Sequence, residues 1–139
     1  MIRAVLDANV YISAALRPEG PPGRIIERFL RQAAFEIVLS SAIADEIFRA
    51  FTYPKIRKYM RLGLDELWFE DIAVLAELVS GDYQLSGVSQ DPDDDKYIAA
   101  AVEGRAAFVV AGDLDLLRVK EHEGIRIVRP RAFLDLIGE

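Results

Sequence analysis

Hydrophobic positions along the chain fall into two kinds: short continuous runs and longer stretches with helical spacing. Ile2 to Leu6 is a nearly uninterrupted apolar run ending in Asp7-Ala8-Asn9, the pattern of a strand buried on both faces of a parallel sheet. Apolar content at helical length continues from Val10 to Leu16, and the proline- and glycine-rich segment Arg17 to Gly23 breaks it. The next helix is predicted from about Arg24 to Gln32, with Ile25, Ile26, Phe29 and Leu30 inward and Arg24, Arg28 and Arg31 outward. Phe35 to Leu39 reads as a second strand. Ser40-Ser41 then caps a helix to about Phe51, whose buried side is set by Ile43, Ile47 and Phe51. Tyr53-Pro54 ends that helix, and a basic segment with Tyr59 inside it runs from Lys55 to Arg61. Helical periodicity resumes from Leu64 to Val79 through Leu67, Trp68, Ile72, Leu75 and Leu78. Gly81 to Gly87 is a turn in which a short strand is expected at Tyr83 to Leu85. Ala106 to Ala111 is another apolar strand, ending in Gly112-Asp113-Leu114-Asp115. A strand at Ile125 to Val128 and a terminal helix from about Pro130, with Phe133, Leu134 and Ile137 inward, complete the pattern.

Strands alternating with helices predict an α/β fold with a central parallel sheet and helices on both faces, because parallel neighbours require a crossover. In such sheets ligands bind outside the carboxyl ends of the strands. Asp7 and Asp113 each follow a strand, and Glu46 lies in the first turns of a helix that follows one. Glu46 sits at the margin of that helix's buried side, about 60° from Ile43; a surface acid and a ligand are both open readings.

The stretch Gln90 to Glu103 is the most informative. Asp91 followed by Pro92 has the form of a helix N-cap and a proline at the first helical position. Asp93 and Asp94 then fall in the first turn, where the helix dipole favours carboxylates. Asp95, Ile98, Ala99 and Val102 are spaced i, i+3, i+4 and i+7, which puts the Asp95 carboxylate on the apolar stripe. A buried carboxylate needs a partner or takes up a proton.

Composition narrows the chemistry. The 139 residues, 52% hydrophobic and 29% charged, suit one ordinary domain with a full core, and one domain over residues 1–139 is expected. No apolar run approaches the length of a membrane span and no basic-then-apolar leader opens the chain, so a cytoplasmic protein away from membranes is expected. There is no cysteine, which excludes disulfides and thiolate metal sites and leaves oxygen ligands. His122 is the one histidine, in a charged turn expected to be solvated, so histidine triads and zinc sites have little to build on. The net charge of −6 argues against a nucleic-acid partner until its distribution is considered. Acids concentrate at Asp91 to Asp95 and at Asp113 with Asp115, while Lys55, Arg57, Lys58 and Arg61 cluster elsewhere; divalent cations at the acids would remove much of the negative charge.

Carboxylates gathered at one edge cannot all stay ionised without compensation. Lys96 and Arg118 are the local bases, so a salt-bridge network is one solution. A hard divalent cation is the other, since Mg²⁺ and Mn²⁺ take oxygen ligands, lower the pKa of a water and polarise phosphoryl oxygens. The chain has no Walker A loop, dinucleotide-binding glycine pattern or nucleophile elbow to support a different chemistry.

Four segments carry a family resemblance: Val5-Leu6-Asp7-Ala8-Asn9-Val10-Tyr11-Ile12-Ser13, Leu39 to Ile47 around Glu46, Asp91 to Ala101 around Asp95, and Val109 to Leu117 around Asp113 and Asp115. In this order they resemble the PIN-domain proteins, close to the VapC-like toxin ribonucleases of bacterial and archaeal toxin-antitoxin pairs. The resemblance implies a three-layer α/β/α sandwich with an acidic pocket for Mg²⁺ or Mn²⁺. It makes Asp7, Glu46, Asp95 and Asp113 the catalytic and metal-binding acids, Asp115 a fifth ligand and Asn9 a polar helper at the substrate. Asp93 and Asp94 remain cap or supporting acids. Gly112 departs from the serine or threonine that members often carry there, so a hydroxyl beside the metal is lost or supplied elsewhere. The implied activity is endonucleolytic RNA hydrolysis, and the implied partners are an RNA substrate, a cognate antitoxin and a second copy of the chain. Lys55, Arg57 and Lys58, with Arg61, are candidate phosphate contacts and Tyr59 a stacking platform, against the alternative of a solvated helix junction. A housekeeping RNA-processing nuclease, a metal-dependent phosphatase or receiver-like domain, and a non-catalytic module with salt-bridged acids are the other readings.

Overall fold

The structure, a computed structural model, describes residues 1–60 and 66–138. The apolar runs form the middle of a sheet: β1 (Arg3–Leu6), β2 (Glu36–Ser40), β3 (Glu77–Val79), β4 (Phe108–Val110), β5 (Glu121–His122) and β6 (Ile125–Val128). They lie in the order β3-β2-β1-β4-β6-β5. Ala4, Val5 and Leu6 are all fully buried, as a strand covered on both faces requires. Ala4 lies beside Ile37 of β2 on one side and Phe108 of β4 on the other.

The helices are α1 (Ala8–Leu16), α2 (Pro21–Gln32), α3 (Ser41–Thr52), α4 (Pro54–Arg57), α5 (Glu66–Leu75), α6 (Asp95–Glu103), α7 (Leu114–Val119) and α8 (Pro130–Leu136). They flank the sheet as the expected three-layer α/β/α sandwich. Helix α6 packs against β1, β2, β4 and β6, while α2 packs on α1 and α8. Close seating of α6 depends on Gly104, where a Cβ would stand 2.4 Å from a Val38 methyl. Phe35 ties the α2 and α8 layer together, with ring centroids 5.6 Å from Phe29 and 4.9 Å from Phe133. Such aromatic pairs add about 0.5–1.5 kcal/mol each beyond area burial.

Several expectations are corrected. Helix α2 begins three residues before Arg24, because Pro21 and Pro22 occupy first-turn positions that need no N–H. The helix expected through Val79 ends at Leu75, and Glu77–Val79 instead pairs with β2 as a parallel edge strand, leaving Leu78 67% exposed. Tyr83 to Leu85 is a loop. The sheet is parallel except for β5, which pairs antiparallel with β6. Glu123 and Gly124 both take positive φ in the intervening turn, the backbone a two-residue hairpin needs. His122 is therefore in an edge strand with its ring half-buried, not in a solvated turn. Arg61 and Leu64 lie outside the described residues, as does the side chain of Leu67. Among the described residues no helix is long and apolar enough to cross a membrane.

This topology fixes where a site can form. From β1 the chain crosses to β2 and β3, then returns to add β4 on the other flank of β1. The loops after β1 and β4 consequently leave the sheet on either side of one gap, the position where open α/β sheets bind ligands.

Candidate active site

Asp7 and Asp113 stand on the two sides of that gap. Asp7 caps α1, accepting the Val10 N–H at 3.0 Å, and is 3% exposed. Its own N–H donates to the Val110 carbonyl at 3.0 Å, which holds the end of β1 against the end of β4. Asp113 caps α7 in the same way, accepting the Asp115 N–H at 2.9 Å. Burial pushes Asp7 up to about 7, and the charges of Asp113 and Glu46 add to this against the opposing amides of Val10 and Asn9.

The next acids arrive on a tight turn. Asp91 accepts the Asp93 N–H at 3.0 Å and caps a single 3₁₀ turn, Pro92–Asp94, before α6 begins at Asp95. Asp93 is exposed. Asp94 is 8% exposed, and its Oδ2 is sealed from solvent and receives no hydrogen bond. Burial pushes Asp94 up to about 7, reinforced by the neighbouring Asp113 carboxyl and by the charges of Asp91 and Asp7. Carboxylate oxygens of Asp91, Asp94 and Asp115 all lie within 4.8 Å of one another. Asp94 thus converges with Asp91 and Asp115 and feels the charges of Asp113 and Asp7.

Asp95 faces elsewhere. It is 2% exposed, as its place on the apolar stripe requires, but its partners are backbone amides. The Ser89 N–H donates to Oδ1 at 2.7 Å and the Val88 N–H to Oδ2 at 3.4 Å. Its carboxylate therefore fastens the loop that leads into the Asp91 turn.

Glu46 approaches from α3 with two attachments. Lys96 Nζ lies 2.9 Å from Oε2, and the Tyr97 hydroxyl donates a short hydrogen bond to Oε1. The same hydroxyl accepts the Ala8 N–H at 3.2 Å. Tyr97 thereby joins α6, α3 and the residue beside Asp7, and burial together with its bond to Glu46 raises its pKa. Sequence periodicity gives Tyr97 no role; the two residues its hydroxyl joins are 89 and 51 positions away.

The remaining candidates lie outside this group. Asn9 is exposed on the first turn of α1, and its backbone amide supports Asp7. Lys55, Arg57 and Lys58 are exposed on α4 and just beyond it, at the end of α3 away from Ser40, about 18 Å along a helix of that length. Lys58 Nζ sits over the Tyr59 ring at 5.4 Å. Gly112 is exposed, and a Cβ there would meet nothing within 4 Å, so there is room for a hydroxyl-bearing side chain at this position.

Salt bridges account for only part of the negative charge. Lys96 pairs with Glu46, and Arg118 reaches Asp115 at 3.3 Å. Among the described residues Asp7, Asp94 and Asp113 have no such base. An all-oxygen donor set, with a buried carboxylate oxygen that no donor satisfies, fits a hard divalent cation.

The family profile described as the PIN domain matches residues 3–115, from β1 into α7. An uncharacterized protein of Methanocaldococcus jannaschii, MJ1680, is 26% identical over 146 aligned positions, covering 96% of this chain and 90% of that protein. Among solved structures, VapBC2 from Rickettsia felis, bound to a DNA fragment from its promoter, matches with a TM-score of 0.60 at 10% identity, over 92% of this chain and 98% of that one. PAE2754 from Pyrobaculum aerophilum matches with a TM-score of 0.59 at 11% identity, over 98% and 89%. At these identities the two structures speak to the fold.

Proposed function

The chain belongs to the PIN-domain family, and on that footing we propose that it is a metal-dependent endoribonuclease whose acidic edge holds Mg²⁺ or Mn²⁺. Asp94 carries the proposal: a buried carboxylate with one oxygen receiving no hydrogen bond, surrounded by Asp7, Asp91, Asp113 and Asp115. Asp94, Asp91 and Asp115, whose oxygens converge, together with Asp7 and Asp113 would supply the ligands. A cation bound there would neutralise the cluster, lower the pKa of a water and polarise a phosphoryl oxygen.

The chain's own residues prepare that chemistry. The α1 and α7 caps hold Asp7 and Asp113 at fixed positions across the gap. Tyr97 orients Glu46 beside them, and Lys96 neutralises its other oxygen. Asp95 acts one step back, by fastening the loop before the turn that carries Asp91 and Asp94. Asp7 and Asp94, both pushed up to about 7, each hold a proton part of the time at neutral pH in the metal-free protein.

We place this activity in a single cytoplasmic domain that serves as the toxin of a toxin-antitoxin pair. The likeness to the Rickettsia felis VapBC2 complex and an exposed apolar patch of Val74, Leu75 and Leu78 at the β3 edge support a protein partner, an antitoxin or a second copy. The test is incubation of mixed RNA with purified protein in Mg²⁺, Mn²⁺ or EDTA. Cleavage is expected with metal alone, falling by more than about 100-fold in Asp94→Asn, since loss even of residues supporting a metal ligand costs 10–100-fold. RNA left whole under all conditions contradicts the nuclease reading.

A further inference from the structure

We propose that the cleft between α6 and the segment Gly81–Leu85 is a nucleobase subsite, receiving one base of the single-stranded RNA whose backbone lies at the acidic edge. The inference rests on the nuclease reading for its ligand but on separate residues for its site.

The cleft has a volume of about 270 Å³ and runs along α6, its lining reaching from Ser40 at the carboxyl end of β2 and from Pro92 and Asp93 at the α6 entry to Glu103 at the end of that helix. The turn Pro92–Asp94 divides it from the acidic cluster. Pro92 and Asp93 line the cleft, while Asp94 belongs to the cluster. Lys96 spans both, lining the cleft and bonding Glu46.

Its surfaces suit a flat, mostly apolar, uncharged group. Ala99 and Ala100 line it with little side-chain bulk, and Tyr83, 40% exposed, lines it with an aromatic ring, together with Leu85. Stacking on such a face accepts any base, because every base has a π-surface. The Gln84 amide supplies both a donor and an acceptor for base edges.

Charge decides between base and phosphate. Asp93 and Glu103 line the cleft and disfavour a phosphate there, whereas exocyclic amino groups of a neutral base are compatible with them. Glu103 also builds the wall: it accepts the Gly81 N–H at 3.0 Å and a short hydrogen bond from the Ser80 hydroxyl, and these bonds keep its pKa below the usual carboxylate range. The Gly81–Leu85 wall is therefore tied to the end of α6 before any ligand arrives, which reduces the ordering cost of binding.

The experiment is an NMR titration of ¹⁵N-labelled full chain in Ca²⁺ with a short mixed-sequence RNA and, separately, with an abasic ribose-phosphate chain of equal length, alongside a cleavage assay in Mg²⁺ and Mn²⁺. Amides of Tyr83, Gln84, Ala99 and Ala100 are expected to shift with the RNA and not with the abasic chain. Tyr83→Ala should weaken RNA binding at least about fivefold, the lower bound for loss of one stacked base, and Tyr83→Phe should restore it. Equal shifts with both chains, no shifts at these amides, or unchanged affinity in Tyr83→Ala would overturn the subsite whether or not RNA is cleaved. Cleft shifts with no cleavage would instead sink the nuclease reading and leave the subsite standing.

Discussion

Asp94 and Asp95 are adjacent, both buried, and satisfied in opposite ways. Asp95 is held by the amides of Ser89 and Val88, a neutral donor set that fixes the carboxyl group in place. Asp94 faces Asp91, Asp113, Asp115 and Asp7, and its Oδ2 receives no hydrogen bond. One side of the α6 entry is satisfied by backbone donors; the other gathers carboxylates with no hydrogen bond to Asp94 Oδ2. Burial alone therefore does not mark a ligand. What surrounds the buried acid separates a staple from a site.

Removing the staple should cost the most stability. Asp95→Ala leaves two amides without their acceptor, and about 2–4 kcal/mol should be lost in urea unfolding, from charged hydrogen bonds worth 1.5–3 kcal/mol and the cost of unpaired buried groups. A loss under 1 kcal/mol would put Asp95 in the same class as Asp94.

The acidic side should respond to pH with the opposite sense from an ordinary paired carboxylate. Asp7 is raised from its usual range to about 7, so its protonated form stabilises the fold below pH 4 and that contribution is lost as pH rises through 7. In EDTA, wild-type stability relative to Asp7→Asn should fall by about 2.6 kcal/mol between pH 5 and pH 8, at about 1.4 kcal/mol per unit up to pH 7 and little beyond. Asparagine retains the α1 cap, so the difference reports the charge. A flat difference across this range would mean that burial and the neighbouring acids do not raise Asp7.

The basic segment extends the comparison to charge without burial. Lys55→Glu with Lys58→Glu should leave the melting temperature unchanged and lower the salt dependence of RNA binding by about 0.7 in log–log slope for each phosphate no longer neutralised. An unchanged slope would remove the segment from the RNA path.

Much of this arrangement was legible before the structure. Apolar runs ending in Asp7 and Asp113 placed both acids at strand ends, and the stripe through Asp95 correctly marked it as buried. The same count starting one residue earlier, Asp94, Tyr97, Ile98 and Ala101, is an equally good i, i+3, i+4, i+7 stripe, and all four residues are buried. Periodicity could not choose between them, because α6 is covered on nearly every side and its entry is a 3₁₀ turn with a different angular step. Strand β3 was hidden for another reason. Its three residues pair with β2, a contact nearly 40 positions distant in register, while its Leu78 stays exposed and gives no burial pattern. Tyr97 is buried, and its hydroxyl does work that no spacing reveals.

The central claim, that Asp94 and its neighbours form a cation site while Asp95 does not, is tested most directly by thermal unfolding with and without Mn²⁺ in wild type, Asp94→Asn and Asp95→Asn. Mn²⁺ should raise the melting temperature of wild type and of Asp95→Asn, by about 2.7 kcal/mol of stabilisation at a hundredfold excess over the dissociation constant, and leave Asp94→Asn unmoved. An equal rise in all three proteins, or a rise lost in Asp95→Asn and kept in Asp94→Asn, would contradict the assignment.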